Sequence, residues 1–310
     1  MTSQSRALVV GFGSIGERHA QVLSGMGLDV GVVSRRQVSG YQGFSGLEAA
    51  LESLSPAYVV VADETARHGE TVRRIGQSGY AGTVLVEKPL LSSPAPLPKS
   101  DFAAMAVGYQ LRFHPAVRAL RARLAGEASV VAMLEVGQNL SQWRPGRDWR
   151  QGYSASRKAG GGVLRDLSHE LDLMLWLFGP WRRLAALGGR GEALGVAADD
   201  TATVLVETAR CPSVTLALDY LARPLRRRIV VETVRHSFVL DLASGRLAVD
   251  GAVEVFAADT DGMLAEMHRA VINNAGGYCT AEEGIAVVEM IAAIEAARDC
   301  GTWVEEGFAA

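Results

Sequence analysis

Cysteine is scarce in this chain. Its three cysteines, Cys211, Cys279 and Cys300, are odd in number and widely spaced. That argues against a disulfide framework, and no Cys/His ligand spacing for structural zinc appears, so no metal is expected. Free thiols fit a reducing cytoplasm, the compartment expected for the protein. Charge of one sign is not in excess either: 31 Lys and Arg stand against 34 Asp and Glu, for a net charge of −3. No broad basic surface for nucleic acid follows from that balance. The basic cluster Arg223-Pro-Leu-Arg226-Arg227-Arg228 is local and reads as a solvated strand edge, with phosphate binding as the alternative. No run approaches the roughly 20 apolar residues that cross a bilayer. The N-terminus passes almost at once into a strand pattern, so no signal segment is expected.

What the chain has is glycine and short apolar runs. A length of 310 residues suggests two domains. The first third alternates strand patterns (Ala7–Val10, Asp29–Val33, Tyr58–Ala62, Thr83–Val86, Ala104–Gly108) with helix patterns (Ile15–Gly27, Leu47–Leu54, Arg67–Ser78, Pro115–Leu124). Uninterrupted apolar strands such as Tyr58–Ala62 suit a parallel sheet covered on both faces. After about residue 112 the pattern changes. Val130–Gly137 reads as a strand and Leu164–Phe178 as a helix. Thr201–Glu207, Ser213–Tyr220, Arg228–Val234, Ser237–Asp241 and Arg246–Val249 follow as strands with hairpin-like spacing, which suggests a mostly antiparallel sheet. Helices near Asp261–Asn274 and Ala281–Cys300 close the chain. The fold class expected is α/β, with a dinucleotide-binding domain over 1–112 and a second α/β domain for substrate and oligomerisation over 113–310.

The segment Ala7-Leu-Val-Val-Gly11-Phe-Gly13-Ser14-Ile15-Gly16 runs from an apolar strand through a glycine-rich turn into a helix. Gly11 permits the tight turn, Gly13 the close approach of a pyrophosphate, and Gly16 the packing of helix on strand. The helix start adds N–H groups and a positive dipole end. About twenty residues past such a turn, an acidic residue would hold the ribose hydroxyls of NAD. Here the second strand ends in Ser34-Arg35-Arg36, and two guanidinium groups with a hydroxyl suit a 2′-phosphate better. The cofactor expected is NADP(H), with NAD(H) possible; the alternative for the arginines is a solvated pair of loop charges.

Two further constellations carry chemistry. Glu87-Lys88-Pro89 follows the fourth apolar strand, where ligands of open α/β sheets bind, and Lys88 can reach a substrate hydroxyl or carbonyl. Gly160-Gly-Gly leads into a helix with Asp166, His169 and Glu170 at i, i+3 and i+4, one shared face. A histidine beside a carboxylate suits proton transfer near neutral pH.

Together with Gly108-Tyr-Gln-Leu-Arg-Phe-His-Pro115, these motifs resemble the Gfo/Idh/MocA oxidoreductases over nearly the whole chain. The resemblance implies an N-terminal Rossmann domain and a C-terminal α/β domain with an open, mostly antiparallel sheet. That sheet would form a homodimer or homotetramer. It also implies NAD(P)-dependent oxidation or reduction of a sugar, cyclitol, sugar acid or nucleotide-sugar hydroxyl. Lys88 matches the lysine that orients substrate, His169 the helix acid/base, and Asp166 the carboxylate before it. Thr65 and His68 match a turn near the cofactor, and Glu87 and Lys88 complete that set. The family's Asp and His are commonly four apart; here they are three apart, so Glu170 is the runner-up to His169. Candidate substrate residues are Gln110, Arg112, Trp149, Arg150, Tyr153, Arg157 and Tyr220; the stretch Gln142–Arg157 offers aromatic faces for sugars and guanidinium groups for anions. Two other functions share these motifs: a sugar epimerase or isomerase that oxidises transiently with bound NAD(P), and a catalytically silent NADP(H) sensor.

Overall fold

The computed structural model describes residues 5–143, 148–157, 160–189 and 194–307. In chain order, β1 (Arg6–Val10), α1 (Ser14–Gly25), β2 (Asp29–Val33), β3 (Gln42–Phe44), α2 (Leu47–Leu54), β4 (Tyr58–Val61), α3 (His68–Gln77), β5 (Thr83–Val86) and β6 (Ala104–Val107) come first. Next are α4 (Pro115–Leu124), β7 (Ser129–Gly137), α5 (Val163–Asp166), α6 (His169–Phe178), β8 (Trp181–Gly189), β9 (Thr201–Thr208) and β10 (Ser213–Asp219). β11 (Arg226–Thr233), β12 (Ser237–Asp241), β13 (Arg246–Val249) and β14 (Ala252–Val255) follow, then α7 (Thr260–Ile272), β15 (Cys279–Thr280), α8 (Ala281–Cys300) and β16 (Val304–Glu305). No helix among the described residues is long and apolar enough to cross a membrane.

The chain forms two compact units, Met1–Phe113 with Asp259–Ile285, and His114–Ala258 with Ala286–Ala310. Residues 259–285, expected with the second domain, therefore pack in the first. The reason is apolar burial: Leu264, Met267, Ala270 and Val271 of α7 enter the same core as Ala7, Val9, Val32, Tyr58, Val60 and Leu85. β15 then pairs antiparallel with β6, Cys279 opposite Val107.

The first unit is a seven-stranded sheet in the order β15-β6-β5-β4-β1-β2-β3. Its strands from β6 to β3 are parallel. All four residues of Tyr58-Val-Val-Val61 are buried, as a strand covered on both faces requires. The order reverses beside β1, which makes the carboxyl end of β1 the switch point where such sheets bind ligands.

The second unit carries a nine-stranded sheet, β14-β13-β12-β11-β7-β10-β9-β8-β16, antiparallel except where β7 meets β10. Strand β9 alternates in burial along its length, one face in and one face out. Helices α4, α5 and α6 lie against this sheet.

Candidate active site

β1 delivers the chain into Gly11, whose φ is +99° and whose added Cβ would lie 2.5 Å from the Ala62 carbonyl oxygen. A Cβ on Gly16 would lie 2.1 Å from the Gly11 carbonyl oxygen. The packing of the protein itself demands these two glycines. Gly13 differs. Its φ of −81° and ψ of −172° are open to any residue, and a Cβ there would meet nothing within 4 Å. No internal contact asks for glycine at position 13; the space it leaves faces outward. Gly13 is also the residue preceding α1 and caps no N–H with a side chain. The first turn, Ser14, Ile15 and Gly16, therefore aims backbone N–H groups and a positive dipole end at this space. An open cradle with such donors suits a pyrophosphate.

The end of β2 is tied to this turn, because Gly11 N–H donates to the Val33 carbonyl at 2.9 Å. Just beyond, Ser34 Oγ accepts from the Arg36 backbone N–H at 2.9 Å. The Ser34 hydroxyl is thus engaged with its own loop. Arg35 is 82 % exposed, and its Nη2 comes within 4.0 Å of Glu64 Oε1. Exposed pairs of this kind contribute little, so Arg35 is not locked by Glu64.

Thr65 begins a short 3-10 turn and is buried. His68, the first residue of α3, is buried too: Nδ1 lies 3.1 Å from the Pro89 carbonyl and Nε2 3.3 Å from the Asp63 carbonyl. It thereby bolts the segment after β5 to the loop after β4. Glu87, expected to touch the cofactor, turns its carboxylate inward instead. Oε1 accepts from His19 Nε2 at 2.9 Å, and Oε2 accepts from the Lys88 backbone N–H at 3.2 Å. Burial alone would raise the Glu87 carboxyl, but the hydrogen bond from His19 and the neighbouring Lys88 charge hold it below its ordinary value. Lys88 itself is half-buried.

Gln110 and Arg112 lie on the 3-10 turn Gln110–Phe113. Gln110 is half-buried. Arg112 is buried and does not present itself to a substrate. Its Nη1 donates to Glu283 Oε2 at 2.7 Å and to the Tyr278 carbonyl at 3.2 Å. Glu283 belongs to a capping box: its carboxylate accepts from Thr280 N–H at 2.9 Å while its own N–H donates to Thr280 Oγ1 at 3.3 Å. Arg112 therefore fastens the start of α8.

In the second unit, the helix expected over Leu164–Phe178 is broken. α5 ends at Asp166, and Glu170 N–H donates to the Leu167 carbonyl at 3.3 Å, three residues back, in a tight turn. Asp166 thus closes one helix and His169 and Glu170 open the next, in place of the single continuous helix expected to carry all three. Asp166 Oδ2 accepts from Tyr220 O–H at 2.7 Å. Tyr220, expected to meet substrate, is fully buried, and burial together with Asp166 raises its hydroxyl well above the usual tyrosine range. Glu170 is buried against Arg227, whose Nε lies 2.7 Å from Oε1. His169 opens α6 and is 6 % exposed.

The aromatic and basic stretch is mixed in use. Arg150 stacks over the Trp149 ring at 4.3 Å. Tyr153 O–H donates to the Gly160 carbonyl at 2.6 Å. Arg157 is exposed, 3.6 Å from a Glu295 carboxylate that Arg165 already holds with two donors, at 2.7 and 3.2 Å. Arg144, Pro145, Gly146 and Arg147 of this stretch lie outside the described residues. Three residues central to the first unit, Tyr58, His19 and His268, drew no functional expectation. The available signal was a histidine on the apolar face of the α1 pattern.

Residues 121–239 match a family model described as the GFO/IDH/MocA C-terminal domain. No curated protein matches the chain. Among solved structures, GenD2 from gentamicin A biosynthesis, in complex with NAD, is 22% identical, with a TM-score of 0.81 over 99% of this chain and 98% of that one. Levoglucosan dehydrogenase in complex with NADH is 15% identical, with a TM-score of 0.82 over 98% and 99%. The WlbA dehydrogenase from Bordetella pertussis, in complex with NADH and UDP-GlcNAcA, is 18% identical, with a TM-score of 0.78 over the full length of both chains. Residues 121–239 are thus similar to a GFO/IDH/MocA C-terminal domain, in a chain that shares the fold of these solved structures along its length.

Proposed function

We propose that the protein is an oxidoreductase that prefers NADP(H) and acts on a secondary hydroxyl or ketone of a carbohydrate-like substrate. The observation that carries this reading is Gly13: a glycine that no internal contact requires, at a switch point of a parallel sheet, beneath the N–H groups of α1. The neighbours that bind NAD or NADH, one of them with UDP-GlcNAcA, support a nicotinamide dinucleotide and a sugar or nucleotide sugar. When bound, the nicotinamide supplies the site that gives or accepts hydride. The chain supplies the rest. Gly11, Gly13 and Gly16 with the first turn of α1 hold the phosphates, and Arg35 and Arg36 hold a 2′-phosphate. Lys88 orients and polarises the substrate oxygen. His169 takes up or returns the hydroxyl proton. Glu170 is committed to Arg227, which favours His169 over its runner-up for that role. Trp149, Arg150 and Arg157 remain as side chains for an anionic sugar.

The test is a titration with NADPH and NADH followed by turnover on sugars, sugar acids and nucleotide sugars. Net change in NADPH absorbance with at least one of them is expected. Product formed without net cofactor turnover would instead indicate transient oxidation, and tight binding without any turnover a sensor.

We further propose a homodimer or homotetramer through the second unit's sheet. Ala185, Leu205, Thr215, Met133, Val230, Val239, Ala248 and Val253 are register neighbours across eight strands. All but Thr215 are apolar, and Leu205, Met133 and Val253 are 50, 46 and 46 % exposed. Such a patch fits an interface. Replacing Met133 and Leu205 together by Glu is expected to reduce the mass in light scattering to that of a monomer; an unchanged mass would refute the interface.

A further inference from the structure

A buried chain of four polar side chains in the first unit has no part in the roles given above. Tyr58 Oη lies 2.9 Å from His268 Nδ1. His268 Nε2 lies 2.9 Å from His19 Nδ1, and His19 Nε2 lies 2.9 Å from Glu87 Oε1. The residues come from β4, α7, α1 and the segment after β5. Both histidines are fully buried, Tyr58 is 2 % exposed and Glu87 is 7 % exposed.

The hydrogens can be followed from the tyrosine end. Tyr58 sits in an apolar core, and the hydrogen-bond partner of its hydroxyl among the described residues is His268 Nδ1. A buried O–H left without an acceptor is costly, so Tyr58 donates and Nδ1 accepts. Burial pushes His268 well below the usual histidine pKa. It therefore carries one hydrogen, on Nε2, and donates it to His19 Nδ1. The hydrogen of His19 is then on Nε2, where Glu87, a carboxylate that only accepts, receives it. Every bond runs in one direction, toward Glu87, and bonds in series polarise one another. The other carboxylate oxygen holds the Lys88 backbone N–H. Gly108 leaves the room for this arrangement, since a Cβ there would lie 2.5 Å from Glu87 Oε1.

We propose that Tyr58, His268 and His19 are positioning residues for Lys88: their directed chain fixes the Glu87 carboxylate and, through it, the main chain that carries the lysine. This rests on the role assigned to Lys88 under the proposed function. It also gives a purpose to the return of residues 259–285 to the first unit, because α7 supplies the middle link.

Histidine-selective 15N NMR and steady-state kinetics test the chain together. Both buried imidazoles are expected as Nε2–H tautomers in the wild-type protein. In Tyr58→Phe, His268 is expected to keep its hydrogen on Nε2, held by His19 Nδ1, with its Nδ1 resonance shifted by the loss of the tyrosine donor, and kcat to fall by about 10- to 100-fold with KM little changed. His268→Gln can still accept from Tyr58 and donate to His19, and is expected to restore most of the activity lost in His268→Phe. An Nδ1–H tautomer on either wild-type histidine would overturn the chain. So would wild-type kcat in both Tyr58→Phe and His268→Phe. A wild-type protein that binds neither NADPH nor NADH overturns the proposed function and this inference with it. Cofactor binding and turnover that survive both substitutions unchanged overturn this inference alone.

Discussion

Replacing His169 by Ala is expected to lower kcat by about 10²-fold or more, the scale of general acid–base catalysis, while NADPH affinity changes little. The residue opens α6, where it is only 6 % exposed. A proton must leave or join the substrate oxygen as hydride moves, and an imidazole can do this near neutral pH. Two neighbouring carboxylates are already occupied: Asp166 by the Tyr220 hydroxyl at 2.7 Å and Glu170 by Arg227 at 2.7 Å. To exchange a proton with substrate, Glu170 would have to give up its contact with Arg227 and leave that guanidinium without its charged partner. Glu170→Gln should therefore show mainly in stability, as a lowered melting temperature, because Arg227 loses its charged partner. The comparison is decisive. Near-normal turnover in His169→Ala together with collapse in Glu170→Gln would transfer the acid/base role to Glu170.

Much of the fold was legible because apolar runs and glycine turns report local geometry. The strands expected at Asp29–Val33, Thr83–Val86, Ser237–Asp241 and Arg246–Val249 coincide with those of the structure. β8 escaped notice because Arg182, Arg183 and two glycines interrupt its apolar pattern, and a register shift sits at its start. β14 escaped because all four of its residues are exposed at a sheet edge, so no alternation marks it. The break between α5 and α6 was hidden for the opposite reason. Val163, Leu164, Leu167, Leu171 and Met174 keep a helical spacing straight through it, and nearly every residue from Val163 to Met174 is buried, polar ones included, so the pattern carries no mark of the break.

The candidate site divides along the same line. Residues whose role follows from neighbours in sequence, such as Gly11 at the tight turn and Gly16 where helix packs on strand, could be assigned from the chain. Residues whose role depends on distant contacts could not. Arg112 reads as a substrate arginine until Glu283, 171 positions away, is placed against it. Tyr220 reads as a sugar-facing tyrosine until Asp166 is found beneath its hydroxyl. His19 and His268, separated by 249 positions, have no local signature of their pairing. Arginine and tyrosine at a predicted loop are ambiguous by nature, since the same donors serve internal carboxylates and bound anions equally well.

Removing both guanidinium groups beyond β2, in the double substitution Arg35→Ala and Arg36→Ala, is expected to weaken NADPH binding by about 10- to 100-fold, the worth of one or two charge-assisted hydrogen bonds. NADH binding should change far less, because its ribose carries no phosphate for them to hold. The geometry sets the reach of these side chains. Val33 accepts from Gly11 at 2.9 Å, so the arginines follow within three residues of the glycine turn itself. Arg35 is exposed and only loosely approached by Glu64 at 4.0 Å, which leaves its guanidinium available to an anion. Surface charge pairs are screened by salt, so the NADPH preference proposed for the wild-type protein is expected to narrow as ionic strength rises. The neighbours in complex with NAD or NADH make the outcome informative, since this chain has Ser34-Arg35-Arg36 after its second strand, where an acidic residue would favour NAD. Equal affinity for the two dinucleotides in the wild-type protein, or tighter NADH, would reduce Arg35 and Arg36 to solvated loop charges.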